Sequence, residues 1–276
     1  MRIWFITGAS RGFGAAIARH ALAAGDAVVA TARKPEQIVD VLGDHANLLA
    51  LPLDVTDEVQ AREAAAAAVA RFGRIDILVN NAGFGLLGAV EESSAEEVEA
   101  LYSVNVFGLL KVTRAVLPHM RAAKAGHVIN LSSVGGFRSG AGFGVYCSTK
   151  FAVEGLSEAL AAELAPLGIG VTIVEPGYFR TEFLESQSLT VSPREIADYA
   201  ETAGAVRAHA KVVSLNQPGD PEKLAAAIVE LGGRKDAPLR MAYGSDTVVA
   251  IEGKMASVRG ELDAWREVSV STDFAA

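Results

Sequence analysis

Short apolar runs rich in β-branched residues alternate along the chain with longer, alanine-rich stretches. Ile3 to Thr7 precedes Ala15 to Ala24, Ala27 to Thr31 precedes Pro35 to Leu42, and Leu48 to Leu53 precedes Asp57 to Phe72. The alternation continues through Ile75 to Asn80, a helical pattern from about Val104 to Ala123, His127 to Leu131, a second helical pattern from about Val145 to Leu164, and Gly170 to Glu175. Strands separated by helices of this length are the signature of βαβ units. The short runs are apolar at successive positions, as suits strands buried on both faces by flanking helices. The expected fold is therefore α/β, a doubly wound parallel sheet.

The rhythm breaks between Arg180 and Asp220, where Ser, Thr, Gln, Asn, Pro and Gly punctuate weak helical stretches and no strand-like run occurs. The segment 182–218 reads as an insertion or lid. Helix and strand signals return at Pro221 to Leu231 and Leu239 to Tyr243, and a helical pattern from Asp246 to about Trp265 with a polar tail makes up 244–276. No linker, repeat or low-complexity block divides the sequence, so 1–276 reads as one domain.

Composition narrows the possible functions. Of 276 residues, 50% are apolar and 21% charged, which provides for a core and excludes disorder. The net charge of −8 supplies no cationic field to collect phosphate backbones, so nucleic acid is not an expected partner. Cys147 is the single cysteine, which forbids an intrachain disulfide and a Cys-rich metal site and fits a reducing cytoplasm. Met1 to Ile6 is too short for the apolar core of a signal peptide. The densest apolar stretch noted, Ala64 to Ala70, falls far short of the roughly 18 residues that span a bilayer. A cytoplasmic chain with no membrane partner and no metal is expected.

Chemistry enters at the first strand-to-helix turn, Thr7-Gly8-Ala9-Ser10-Arg11-Gly12-Phe13-Gly14. Free N–H groups and the helix dipole favour a phosphate there. Gly8 permits a tight exit from the strand, Gly12 lets a pyrophosphate approach the backbone, and Gly14 lets the helix pack close to the sheet. The second strand then ends Thr31-Ala32-Arg33-Lys34, where an NAD site usually carries a carboxylate for the adenosine ribose. No acid stands here. Ala32 cannot repel a 2′-phosphate, and Arg33 and Arg11 offer it charge-assisted hydrogen bonds.

Tyr146 and Lys150, four apart at the start of a helical pattern, share one face, so an ammonium can sit near a phenol. Such a pair alone is commonplace. Ser133, just past the strand His127 to Leu131, adds a hydroxyl where strand ends point into the ligand crevice. With these residues in their order and spacing, the chain resembles the short-chain dehydrogenase/reductases, in their compact single-domain branch with a Rossmann fold. The resemblance runs through Gly8-x-x-x-Gly12-x-Gly14, Asp54-Val55, Asn80-Asn81-Ala82-Gly83, Asn105, Ser132-Ser133, Tyr146-x-x-x-Lys150, and Pro176-Gly177 with Thr181. Phe13, where the family often has isoleucine or leucine, and Cys147 are mild departures.

The resemblance implies Asn105, Ser133, Tyr146 and Lys150 as a catalytic tetrad for hydride transfer between NADP(H), with NAD(H) less favoured, and a carbonyl or secondary alcohol. Tyr146 would supply the proton, Ser133 would polarise the substrate oxygen, Lys150 would also hold the nicotinamide ribose, and Asn105 would anchor a water relaying protons. The phenol's pKa near 10 must come down by about 3 for this work, and Lys150 and an oxidised nicotinamide are the cations suited to lower it. Gly8, Ser10, Arg11, Phe13, Gly14, Arg33, Asp54, Val55, Asn80, Ala82, Gly83, Pro176, Gly177 and Thr181 would meet the cofactor. Asp54 could equally cap the helix near Asp57. Family members commonly dimerise through the helices near Val104 to Ala123 and Val145 to Leu164. A homodimer or homotetramer is therefore expected, with Val106, Leu109, Leu110, Val112 and Val116 as surplus apolar residues. A non-catalytic NADP(H) sensor is the alternative function. An extended-branch epimerase is disfavoured by the glycine spacing.

Overall fold

The computed structural model describes residues 1–274. Seven strands form one parallel sheet: β1 (Ile3–Thr7), β2 (Ala27–Ala32), β3 (Leu48–Pro52), β4 (Ile77–Asn80), β6 (Gly126–Leu131), β7 (Ile169–Pro176) and β9 (Arg240–Tyr243). Their order is β3-β2-β1-β4-β6-β7-β9. The chain thus starts in the middle and winds outward both ways, which leaves a crevice where β1 meets β4. The doubly wound single domain expected from the alternation is the fold observed.

The pleat explains the continuous apolar runs. Trp4, Ile6, Val28 and Ala30 pack on one face with α1 (Gly12–Ala23), α2 (Glu36–Leu42) and α8 (Pro221–Leu231). Phe5, Val29, Leu78 and Val128 pack on the other with α3 (Glu58–Phe72), α5 (Leu109–Ala123) and α6 (Gly144–Leu164). Asp57 caps α3 by accepting from the N–H groups of Val59 and Gln60, so the capping role open to Asp54 belongs to Asp57. Asp54 instead accepts from the N–H and hydroxyl of Thr56, at 2.9 and 2.7 Å.

Three elements lie outside the sequence reading. The short helix α4 (Ala95–Tyr102) opens on a capping box formed by Ser94 and Glu97, a signal present in the sequence as Ser-x-x-Glu. It runs through a wide π turn, Ser103–Gly108, into α5. The whole helical run Ala95–Ala123 is long and apolar enough to cross a bilayer by composition, unlike Ala64 to Ala70, yet half of that window packs inside the fold. The expected lid does contain a strand: β8 (Leu189–Val191) pairs in parallel with β5 (Gly85–Leu87), fastening the segment beside the exit of β4. Two further helices, α7 (Ala205–Val213) and α9 (Ser245–Val270), follow in the lid and after β9.

A buried histidine ties stability to pH. Burial pushes the His127 imidazole down from 6.5 to about 4, with its Nε2 3.0 Å from Thr172 Oγ1. The folded chain keeps this ring neutral at pH values where the unfolded chain takes up a proton. The group costs nothing at neutral pH, and stability is lost as pH falls from about 6.5 towards 4, by about 1.4 kcal/mol per pH unit. His127→Gln is expected to remove that component. Urea unfolding at pH 7, 6 and 5 should then show a shallower decline than wild type, and equal declines would refute the assignment.

Candidate active site

At the carboxyl ends of the strands lies a cleft of about 910 Å³, lined by the glycine turn on one side and the lid on the other. The turn is built on three different glycine requirements. Gly8 and Gly12 have φ of +65° and +53°, the left-handed region. A Cβ on Gly12 would meet nothing within 4 Å, so its backbone faces open space. A Cβ on Gly14 would stand 2.4 Å from the Gly8 carbonyl oxygen and 2.6 Å from Asn81 Nδ2. No side chain caps α1. A bare helix start behind an open glycine backbone is the cradle a dinucleotide pyrophosphate requires, so these residues fit that cofactor.

Ser10, Arg11, Phe13, Ala32, Arg33, Asp54, Val55, Ala82, Gly83, Pro176, Gly177 and Thr181 all line this cleft. Of the residues expected to meet the cofactor, Gly14 and Asn80 stand outside this lining, and Arg11 lines it but is engaged elsewhere. Arg11 is turned to the lid: its Nη2 donates to the Gln187 carbonyl at 2.7 Å and its Nε to Ser188 Oγ at 3.2 Å. Arg33 is exposed at the cleft edge and makes no ion pair among the described residues, which leaves its guanidinium unengaged. Asn80 is buried away from the cleft and donates to Thr113 Oγ1 at 2.9 Å and Asn130 Oδ1 at 2.8 Å. It is the last residue of β4, and its side chain joins a polar chain between strands. The next residue, Asn81, lines the cleft and has a different task. Asn81 Nδ2 donates to the carbonyls of Thr7 and Gly8 at 2.9 and 3.1 Å, locking the glycine turn.

The strand end of β6 and the first turns of α6 bring three expected catalytic groups together. A Cβ on Gly135 would lie 3.4 Å from Ser133 Oγ and 3.6 Å from Tyr146 Cε1, so the two side chains flank one small residue. Ser133 Oγ accepts from the Gly135 N–H at 3.0 Å, which fixes its rotamer and leaves its proton free to donate. Lys150, one turn beyond Tyr146, is buried with Nζ 5.9 Å from the phenol ring centre and donates to the Leu131 carbonyl at 2.8 Å. Asn105 stands a layer behind these three, on the π turn, a helix irregularity frequent at functional sites. Its side chain is committed to both backbone groups of Phe84 and to Thr149. Asn105 Oδ1 and Lys150 Nζ converge on Gly83, where a Cβ would lie 3.1 and 3.9 Å from them.

The electrostatics correct one expectation. Burial pushes the Tyr146 phenol above its ordinary value, with the neighbouring Ser133 hydroxyl pulling the other way. The expected fall is thus not a property of these side chains by themselves. Lys150 moves as burial dictates, down to about 8, while the negative charge of Glu154 opposes the shift. Burial also pushes the Cys147 thiol up, against the thiolate form a nucleophile needs.

The family model described as short chain dehydrogenase matches residues 2–191, from β1 through β8. The chain belongs to this family. It is 40% identical over 274 residues to an oxidoreductase, BOA17, of Botryotinia fuckeliana, covering 98% of this chain and 99% of that one. A solved short-chain dehydrogenase from Streptomyces avermitilis superposes with a TM-score of 0.92 at 47% identity and covers 99% of each chain. A short-chain dehydrogenase/reductase from Burkholderia phymatum, solved in complex with NAD, superposes at 0.83 with 25% identity over 94% of this chain and 95% of that one. The protein is accordingly an oxidoreductase of the short-chain dehydrogenase family.

In this dehydrogenase the lid adds groups that spacing could not reveal. Phe183 lies 5.6 Å from the Tyr146 ring centre and Phe143 6.0 Å from it, walling the phenol with aromatic faces. A side chain at Gly85 would strike Leu189 and Phe183, so this glycine lets the lid approach. Of the lid's apolar residues, Phe183, Leu184 and Leu189 line the cleft, whereas Tyr199 turns away to hydrogen-bond Glu91 and Val191 is exposed. The lid is anchored at its far end by the buried Arg207–Glu92 pair. Arg207 and the N–H of Ile196 hold the Glu92 carboxyl at about 2. Asp246, from the first turn of α9, accepts from the Tyr178 N–H at 2.8 Å and presses on Gly177, shaping the Pro176–Gly177 turn.

The surplus apolar residues expected at an interface are mostly spent inside. Val106, Leu109, Val112 and Val116 are buried in the chain's own fold, and the large apolar side chains these helices expose are Phe107 and Phe151.

Proposed function

We propose that the chain transfers hydride between NADP(H) and a carbonyl or secondary alcohol, with reduction as its working direction. The observation that carries this reading is the convergence of Ser133, Tyr146 and Lys150 in one cleft with the glycine turn. A bound nicotinamide supplies the hydride donor or acceptor. The chain's own residues manage the proton. A carbonyl oxygen placed between Ser133 Oγ and the Tyr146 hydroxyl accepts a hydrogen bond from each before charge develops on it. Because burial keeps the phenol protonated at neutral pH, Tyr146 arrives as an acid and gives its proton to the oxygen as that oxygen becomes an alcohol. Lys150 stabilises the tyrosinate that remains, and two of its three N–H donors are left for the cleft after the Leu131 carbonyl takes one. Asn105 holds the Phe84 backbone and Thr149, and so positions the wall behind Lys150.

The wall of Phe84, Phe143, Phe183, Leu184, Leu189 and Val206 suits an apolar carbonyl compound. Ala32 and Arg33 support a 2′-phosphate on the adenosine ribose. NADPH consumption at 340 nm over a panel of aliphatic and aryl ketones should exceed NADH consumption at matched concentrations. Ala32→Asp with Arg33→Leu should shift the kcat/KM ratio toward NADH by about tenfold or more, since it removes one charge-assisted contact and adds a repulsion. Equal wild-type kcat/KM with both cofactors would refute the preference.

A further inference from the structure

The helix α9 leaves the body of the protein. Its first turn packs against β9 and the Val134–Gly136 turn, and every residue from Glu252 to Val270 is exposed. At 1.5 Å per residue its 26 residues extend about 39 Å. Along this rod Val248, Ile251, Met255, Val258, Leu262 and Trp265 recur at alternating intervals of three and four, the a and d positions of a heptad seam. Five of the six are exposed by 44 to 65%. Gly253 and Gly260 both fall at the f position, opposite the seam, and glycine is among the poorest helix formers. A helix of this kind is stabilised by what covers its apolar stripe.

The flanking charges identify the cover. Along the seam the e positions carry Glu252 and Arg259, with Arg266 at the next e position just past Trp265, and the g positions carry Lys254 and Glu261. Glu252, Lys254 and Arg259 make no ion pair among the described residues, and members of each e or g pair are one heptad apart, too far to meet on one helix. In an antiparallel two-helix seam e faces e and g faces g. A second copy related by a two-fold axis near Ser257 then sets Glu252 against Arg259 and Lys254 against Glu261, four opposite-charge pairs in all. The core layers fall in step: Val248 opposite Trp265, Ile251 opposite Leu262, and Met255 opposite Val258. Parallel pairing would instead set Lys254 against Arg259 twice, and its only opposite-charge contacts, Glu261 with Arg266, would draw on an arginine already paired with Asp263 on its own helix. A membrane surface is a poorer match, because the segment from Glu252 to Glu267 carries three basic and four acidic side chains.

We infer that α9 is a self-association arm, which pairs antiparallel with α9 of a second copy of this chain across the Val248-to-Trp265 seam. The seam lies beyond the cleft and is independent of the reaction, so Leu262→Glu leaves turnover intact. Light scattering and sedimentation velocity on the full chain at about 10 μM test it. Whatever other interface the protein has, Leu262→Glu should halve the wild-type mass. Arg259→Glu should weaken association roughly tenfold by setting like charges opposite, and Glu252→Arg with Arg259→Glu should restore it. A monomeric wild type, or an unchanged mass in Leu262→Glu, would overturn the proposal. Strengthening by Arg259→Glu, or failure of the double exchange to restore, would overturn antiparallel pairing. Seam-dependent co-sedimentation with phosphatidylcholine/phosphatidylglycerol vesicles and no self-association would assign the stripe to lipid instead.

Discussion

Tyr146→Phe is expected to reduce kcat by 10² to 10⁴ on any ketone the wild type turns over, with cofactor affinity nearly unchanged. The phenylalanine ring keeps the packing against Phe143 and Phe183 that holds the tyrosine. The substitution removes one hydroxyl, the one that shares the site with Ser133. A proton donated chiefly in the transition state appears in kcat and not in ground-state binding. Lys150→Ala should behave differently. It deletes a buried ammonium bonded to the Leu131 carbonyl, and with it both the charge facing the phenol and the donors facing the cleft. Affinity for NADPH and kcat should then fall together. Stopped-flow turnover and fluorescence titration of NADPH separate the two variants. A Tyr146→Phe enzyme retaining more than about a tenth of wild-type kcat would remove the proton from this residue and favour a cofactor sensor.

Gly14→Ala is expected to abolish measurable cofactor binding, by more than about 100-fold in Kd, and to lower Tm by several degrees. The added methyl would lie 2.4 Å from a backbone oxygen, that of Gly8, which cannot rotate aside. Either α1 tilts away from the sheet or the turn opens, and both misdirect the N–H groups that meet a phosphate. Overpacking of this kind costs about 1 to 3 kcal/mol, a shift of a few degrees for a domain of this size. Gly12→Ala separates space from conformation, since it meets nothing within 4 Å but sits at φ of +53°. Its stability cost should be about 1 kcal/mol, while the methyl occupies the open face a pyrophosphate needs. Calorimetry and NADPH titration on both variants check the pair; an unimpaired Gly14→Ala would refute the close-packing account.

Local physics made most of this protein readable in one dimension. Both-face burial writes itself as unbroken apolar runs, βαβ connections as alternation, a phosphate turn as glycines at set intervals, and a shared helix face as the four-residue step from Tyr146 to Lys150. Each depends on neighbours within a few residues, where chain geometry leaves little freedom. The outcome was different wherever a residue's role depends on a partner distant in sequence. The pairing of β5 with β8 joins two three-residue strands some hundred residues apart. Which of Asn80 and Asn81 serves the glycine turn depends on the pleat at the end of β4, and whether Arg11 meets a ligand or the lid depends on where Gln187 comes to rest. Phe183 becomes a wall of the active site only once the lid folds over α6. The direction in which the Tyr146 phenol shifts follows the same rule, because desolvation is a property of everything packed around the hydroxyl, and that packing exists only in three dimensions.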